Sequence, residues 1–113
     1  MQNTPVAVYA GTFDPPTLAH LYNVYSLVKK GYRVWMVPII SPPPHKPNKI
    51  NILNIYDMCK LGVEDYIKEK DILQYVEILD IGLDKVMSAC GLMYSLTKKF
   101  PNLNLNFVNL IKL

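Results

Sequence analysis

Ten consecutive residues, Gly11-Thr12-Phe13-Asp14-Pro15-Pro16-Thr17-Leu18-Ala19-His20, have the types and spacing from which phosphate chemistry can be built. Thr17 brings a hydroxyl and His20 an imidazole, three residues apart, so on a helix they share a face. The helix is implied by Leu21, Val24, Tyr25 and Val28, which recur at helical spacing, and by Gly31, placed where a left-handed stop is expected. The first N–H groups of such a helix lack intrahelical partners and its peptide dipoles add partial positive charge, so an anion is favoured at its start. Hydroxyl and imidazole would then meet one phosphate beside backbone donors. The function class this predicts is nucleotide chemistry.

The elements that must position these residues follow from the two periodicities. Val6-Ala7-Val8-Tyr9-Ala10 is an apolar run suited to a parallel strand buried on both faces, and it delivers the chain to Gly11. A second strand is expected over 33–38, then a proline-rich loop to about Asn51, held extended by Pro42, Pro43 and Pro44. A helix over 52–67 would bury Ile52, Tyr56, Cys59, Val63, Tyr66 and Ile67 with Asn51 as its cap. A strand over 72–79 follows, then a helix over 85–100 with Met87, Met93 and Leu96 inward and Pro101 closing it. Residues 103–108 alternate before turning apolar, which predicts a fourth strand. Strands alternating with helices call for an α/β fold with a parallel sheet. Trp35 belongs in its core.

Composition bounds the rest. At 113 residues the chain suits a single domain spanning 1–113, and with half its residues hydrophobic it buries a core rather than remaining disordered. Twelve basic against nine acidic residues give a charge of +3, too mild to imply a nucleic-acid partner. The N-terminus is not signal-like and no apolar stretch reaches the roughly 18 to 20 residues of a membrane helix, so a cytoplasmic location is expected. Cys59 and Cys90 are far apart, with no metal-ligand spacing around them; both are expected to be reduced core residues, and no protein metal site is expected.

The turn resembles the active-site segment of the nucleotidyltransferase superfamily, whose members carry His/Thr-x-Gly-His after a Gly-Thr/Ser-Phe-Asp-Pro turn. Thr17-Leu18-Ala19-His20 keeps the first and last positions, with Ala19 in place of glycine, and Ala10 replaces the first of two glycines common before the Thr-Phe-Asp run. Further on, Val37-Pro38-Ile39-Ile40-Ser41-Pro42-Pro43-Pro44-His45-Lys46 is similar to the Pro-Pro-His-Lys loop of nicotinate-nucleotide adenylyltransferases. The resemblance implies a Rossmann-like parallel sheet of order 3-2-1-4-5, of which this chain holds four strands with the usual fifth missing. Strand 4, near 103–110, would then be an edge open to self-association.

The resemblance also implies roles. His20 would donate near the α-phosphate of ATP, Thr17 would bond a phosphate oxygen, and Lys46 would neutralise developing charge. Ala10, Gly11, Thr12, Phe13, Asp14 and His45 would line the nucleotide, with Gly11, Thr12 and Phe13 contributing mainly backbone. Asp14 before Pro15 is equally a turn-forming pair that bonds nearby backbone whatever the function. Mg2+ would arrive with ATP, and a mononucleotide would accept the adenylyl group. In places the chain departs from the family: Ser88-Ala89-Cys90-Gly91-Leu92 stands where relatives hold the pyridine nucleotide, Ile55 where they have an arginine, and the late Ser-Ser/Thr-x-x-Ile-Arg segment is not found. The readings that follow are an adenylyltransferase of NAD biosynthesis, a phosphopantetheine-adenylyltransferase-like enzyme, or a truncated or degenerate homologue that binds without turnover.

Overall fold

Val6–Gly11 forms the first strand, β1, and its alternation explains why the run is apolar throughout. Val6, Val8 and Ala10 face one side of the sheet, in a cluster with Trp35, Val37, Ile39, Leu92 and Leu96. Tyr9 faces the other, packing with Phe13, Leu21, Val24, Val34, Met36, Ile55 and Cys59. A strand covered on both faces has no polar side to show. The computed structural model describes residues 4–40, 50–83, 86 and 88–108.

Around β1 the elements run α1 (Leu18–Lys29), β2 (Arg33–Pro38), α2 (Ile52–Tyr66), α3 (Lys70–Leu73), β3 (Val76–Ile78), α4 (Ala89–Lys99) and β4 (Leu105–Phe107). The described strands form one parallel sheet of order β3-β2-β1-β4. Val6 pairs with Arg33 of β2 on one side and with Leu105 of β4 on the other. Helices α1 and α2 cover the Tyr9 face and α4 the Val8 face, giving the α/β fold expected. This is a Rossmann-like sheet, and its order matches the expected order through strand 4.

Helix α1 ends as its sequence predicts. Gly31 adopts φ 103, and the Gly31 and Tyr32 amides bond back to the carbonyls of Val28 and Leu27. Asn51 caps α2 by accepting from the Leu53 amide at 2.8 Å.

Five expectations are corrected. The third strand does not begin at Ile72: residues 70–73 make one helical turn, anchored where the Ile72 and Leu73 amides meet the Glu69 carbonyl, and only Val76–Ile78 is strand. Short apolar runs fit either state, and here Ile72 is buried from the helical turn. Helix α4 begins at Ala89 rather than 85, because the Ser88 hydroxyl accepts from the Gly91 amide and caps it. Its buried residues are Leu92 and Leu96, leaving Met93 43% exposed; Met87 lies outside the described residues. In α2, Ile55 is fully buried while Tyr66 lies outward. Cys59 is core as expected, but Cys90, on the first turn of α4, is exposed. Trp35 is core, edge-on to Phe100 at 5.1 Å.

Candidate functional site

The chain leaves β1 at Gly11 and must turn within six residues to enter α1. Phe13 makes that turn with φ 46, a left-handed conformation that costs a side-chain-bearing residue energy. Burial of its ring offsets the cost: Phe13 is only 2% exposed and sits edge-on to Tyr9 at 5.4 Å. A Cβ at Gly11 would lie 3.2 Å from that ring, so glycine leaves room for it. The next peptide bond but one, Asp14–Pro15, is cis.

Thr17 is the N-cap of α1, and the cap is reciprocal. The Thr17 hydroxyl accepts from the His20 amide at 3.4 Å, and His20 Nδ1 accepts from the Thr17 amide at 2.9 Å. The histidine takes the part that glutamate or glutamine plays in the usual capping box. An N–H can only donate, so Nδ1 must be unprotonated and the neutral imidazole carries its proton on Nε2. Burial pushes the His20 pKa below its ordinary value, which favours that neutral form. The ring stands edge-on to Phe13 at 4.9 Å. His20 therefore presents an Nε2–H donor at the start of a helix. Of the first-turn amides, those of Thr17 and His20 are spent on the cap; those of Leu18 and Ala19 have no protein partner among the described residues.

Ala10, Gly11, Thr12, Phe13, Asp14, Thr17 and His20 thus lie on one strand–turn–helix connection. His45 and Lys46 lie outside the described residues. Within the turn the Phe13 ring packs against His20, and Asp14 Oδ1 accepts from the Ile50 amide at 3.1 Å, tying the turn to the segment that enters α2. Ala10 points its side chain to the α4 face, so only its backbone borders the turn.

Sequence reasoning missed two partners of the site. Tyr9 reads simply as core, yet its hydroxyl accepts from the Asn23 side-chain amide at 3.0 Å. A polar residue one turn beyond His20 was the available signal for Asn23. Elsewhere, a groove of about 330 Å³ lies between α2 and β3, lined by Tyr56, Lys60, Val63, Glu64, Leu73 and Ile78 among others. It shares no residue with the turn and offers solvated charges rather than a helix terminus.

The turn sits at the carboxyl end of β1, where the chain's next strand pairs on one side and β4 on the other. That reversal is where open α/β sheets bind ligands. The same arrangement is found in solved structures. Plasmodium falciparum nicotinic acid mononucleotide adenylyltransferase complexed with NaAD superposes with a TM-score of 0.74 at 18% identity, over 93% of this chain and 51% of that one. This chain has the nicotinic acid mononucleotide adenylyltransferase fold. The same enzyme complexed with APC gives 0.71 at 16% identity, over 93% of this chain and 50% of that one. A Vibrio parahaemolyticus protein, provisionally named a nicotinate-nucleotide adenylyltransferase, gives 0.59 at 24% identity, over 92% of this chain and 56% of that one. The chain therefore spans about half the length of these adenylyltransferase chains. No protein-family model matches the chain, and no curated protein matches its sequence. No helix among the described residues of this adenylyltransferase fold is long and apolar enough to cross a membrane.

Proposed function

We propose that the β1–α1 turn binds the phosphates of ATP and that the protein transfers the adenylyl group to nicotinate or nicotinamide mononucleotide. The observation that carries this is the neutral His20 held by Thr17 at a helix N-terminus, on the fold of adenylyltransferases. A phosphate oxygen of the mononucleotide attacks the α-phosphorus, the bond to the bridging α–β oxygen breaks, and pyrophosphate leaves with that electron pair. No covalent protein intermediate is needed; positioning and charge stabilisation lower the barrier.

His20 Nε2–H donates to an α-phosphate oxygen as charge grows there, and the Leu18 and Ala19 amides face the phosphate chain. The Thr17 hydroxyl lies 3.2 Å from Nδ1, and its single proton turns from that nitrogen to a phosphate oxygen when the nucleotide is bound. Lys46 supplies the positive charge its motif resemblance implies. No group of three or more His, Cys, Asp or Glu side chains gathers among the described residues. Mg2+ would come with ATP, held by its phosphate oxygens and water. When bound, the ion would neutralise charge on the departing pyrophosphate.

Pyrophosphate release with ATP, Mg2+ and nicotinate mononucleotide tests this reading. Dinucleotide should form, and His20→Ala should slow it about a hundredfold, as loss of a transition-state donor does. A second reading, ATP binding at the turn without transfer, is favoured by Ile55, which stands fully buried in α2 where the resemblance places an arginine. Saturable ATP binding with no pyrophosphate in any acceptor would select it.

A further inference from the structure

We infer that Asn23 is a positioning residue for His20, acting through the Tyr9 hydroxyl and the three-ring cluster of Tyr9, Phe13 and His20. Asn23 lies on α1 three residues past His20 and is solvent-accessible, yet its amide turns inward and donates to Tyr9 at 3.0 Å. Tyr9 belongs to β1 and is 4% exposed, so this bond ties α1 to β1 beside a ring that stands 6.4 Å from the imidazole.

From Tyr9 the restraint passes by ring contact. Its ring meets Phe13 edge-on at 5.4 Å and stands 6.4 Å from His20 at a tilt of 58°, while Phe13 meets His20 edge-on at 4.9 Å. The Thr17 amide fixes which nitrogen of His20 is protonated; the two aromatic rings fix the plane in which that nitrogen points. Catalytic groups lose rate steeply when misplaced by about 1 Å, so a brace beside the ring has a kinetic consequence. Without Asn23 the phenol loses its donor partner, Tyr9 is free to shift, and the ring wall against His20 loosens.

The inference rests on the adenylyl-transfer reading only for its kinetic arm. Nitrogen-15 spectra of the imidazole read it directly in the full chain, without turnover. In wild type, His20 shows one tautomer with the proton on Nε2. Asn23→Ala and Tyr9→Phe should each shift the imidazole signals as the ring plane turns against its aromatic neighbours, and the double variant should look like either single one, because both remove the same bond. Tyr9→Phe keeps the ring and its volume, so the core survives if Asn23→Ala unfolds. Where the wild type turns over, each variant should lower kcat about tenfold with KM for ATP unchanged. Folded variants that keep the wild-type imidazole signals and kcat, or a double variant whose losses multiply, would overturn the inference. An inactive wild type overturns the reading of function and leaves the spectra to decide this one.

Discussion

Thr17 and His20 cap one another: each backbone amide is bonded to the other's side chain, at 2.9 Å into Nδ1 and 3.4 Å into the hydroxyl. The pair closes the first turn of α1 and, in the same act, selects the imidazole tautomer. Thr17→Ala removes the hydroxyl half of this exchange and should cost about 1 kcal/mol in urea unfolding, the usual worth of an N-cap. Thr17→Ser keeps the acceptor and should recover most of that loss. Equal stability of the two variants would show that the hydroxyl contributes nothing to the cap.

The cap is sensitive to acid. Nδ1 accepts a hydrogen bond only while unprotonated, and burial lowers the His20 pKa from its ordinary 6.5. With the folded value depressed, the unfolded state binds the proton first. The stabilising contribution is present above pH 6.5 and is lost as pH falls below that toward the folded value. In an NMR titration the Thr17 and His20 amides should shift together, with a midpoint below 6.5. A His20 midpoint above 6.5 would contradict the burial described.

Thiol chemistry separates the two faces of the molecule. Cys59 is buried beside Ile55 and Val63, and burial pushes its thiol up to about 12, whereas Cys90 is exposed on the first turn of α4. Ellman's reagent at neutral pH should titrate Cys90 quickly in the native protein and Cys59 only on denaturation. Rapid reaction at both would mean that the α1–α2 face opens readily.

Gly82 marks a close approach at the far end of β2. A Cβ there would lie 2.7 Å from the Pro38 carbonyl oxygen and 3.0 Å from the Ile39 side chain, and a backbone oxygen cannot yield cheaply. Gly82→Ala should destabilise the fold by about 1 to 3 kcal/mol, the range of an overpacked core. An unchanged unfolding midpoint would show that this segment moves away without cost.

Much of this was legible in the residues. β1 could be read because both of its faces are buried, and α1 because its apolar spacing ends in a glycine with a positive φ. The order of the sheet came from the motif resemblance rather than from periodicity. What was hidden depended on tertiary choice. Ile72 buries as well from a helical turn as from a strand, and Leu92 rather than Met93 faces inward once Ser88 sets where α4 starts. At the site, residue types announced Thr17 and His20, but not that they cap one another. Nor did they show that Asp14 reaches Ile50, 36 residues on, since that bond exists only after α2 has packed.

Amide chemical-shift mapping with ATP and Mg2+ measures most directly where the nucleotide sits. Binding at the β1–α1 turn predicts that residues 10–20 move most, led by Leu18 and Ala19, whose amides are the unspent donors of α1. Shifts confined to α2, β3 and the groove beside Lys60 and Glu64, with residues 10–20 silent, would contradict a phosphate site built on Thr17 and His20.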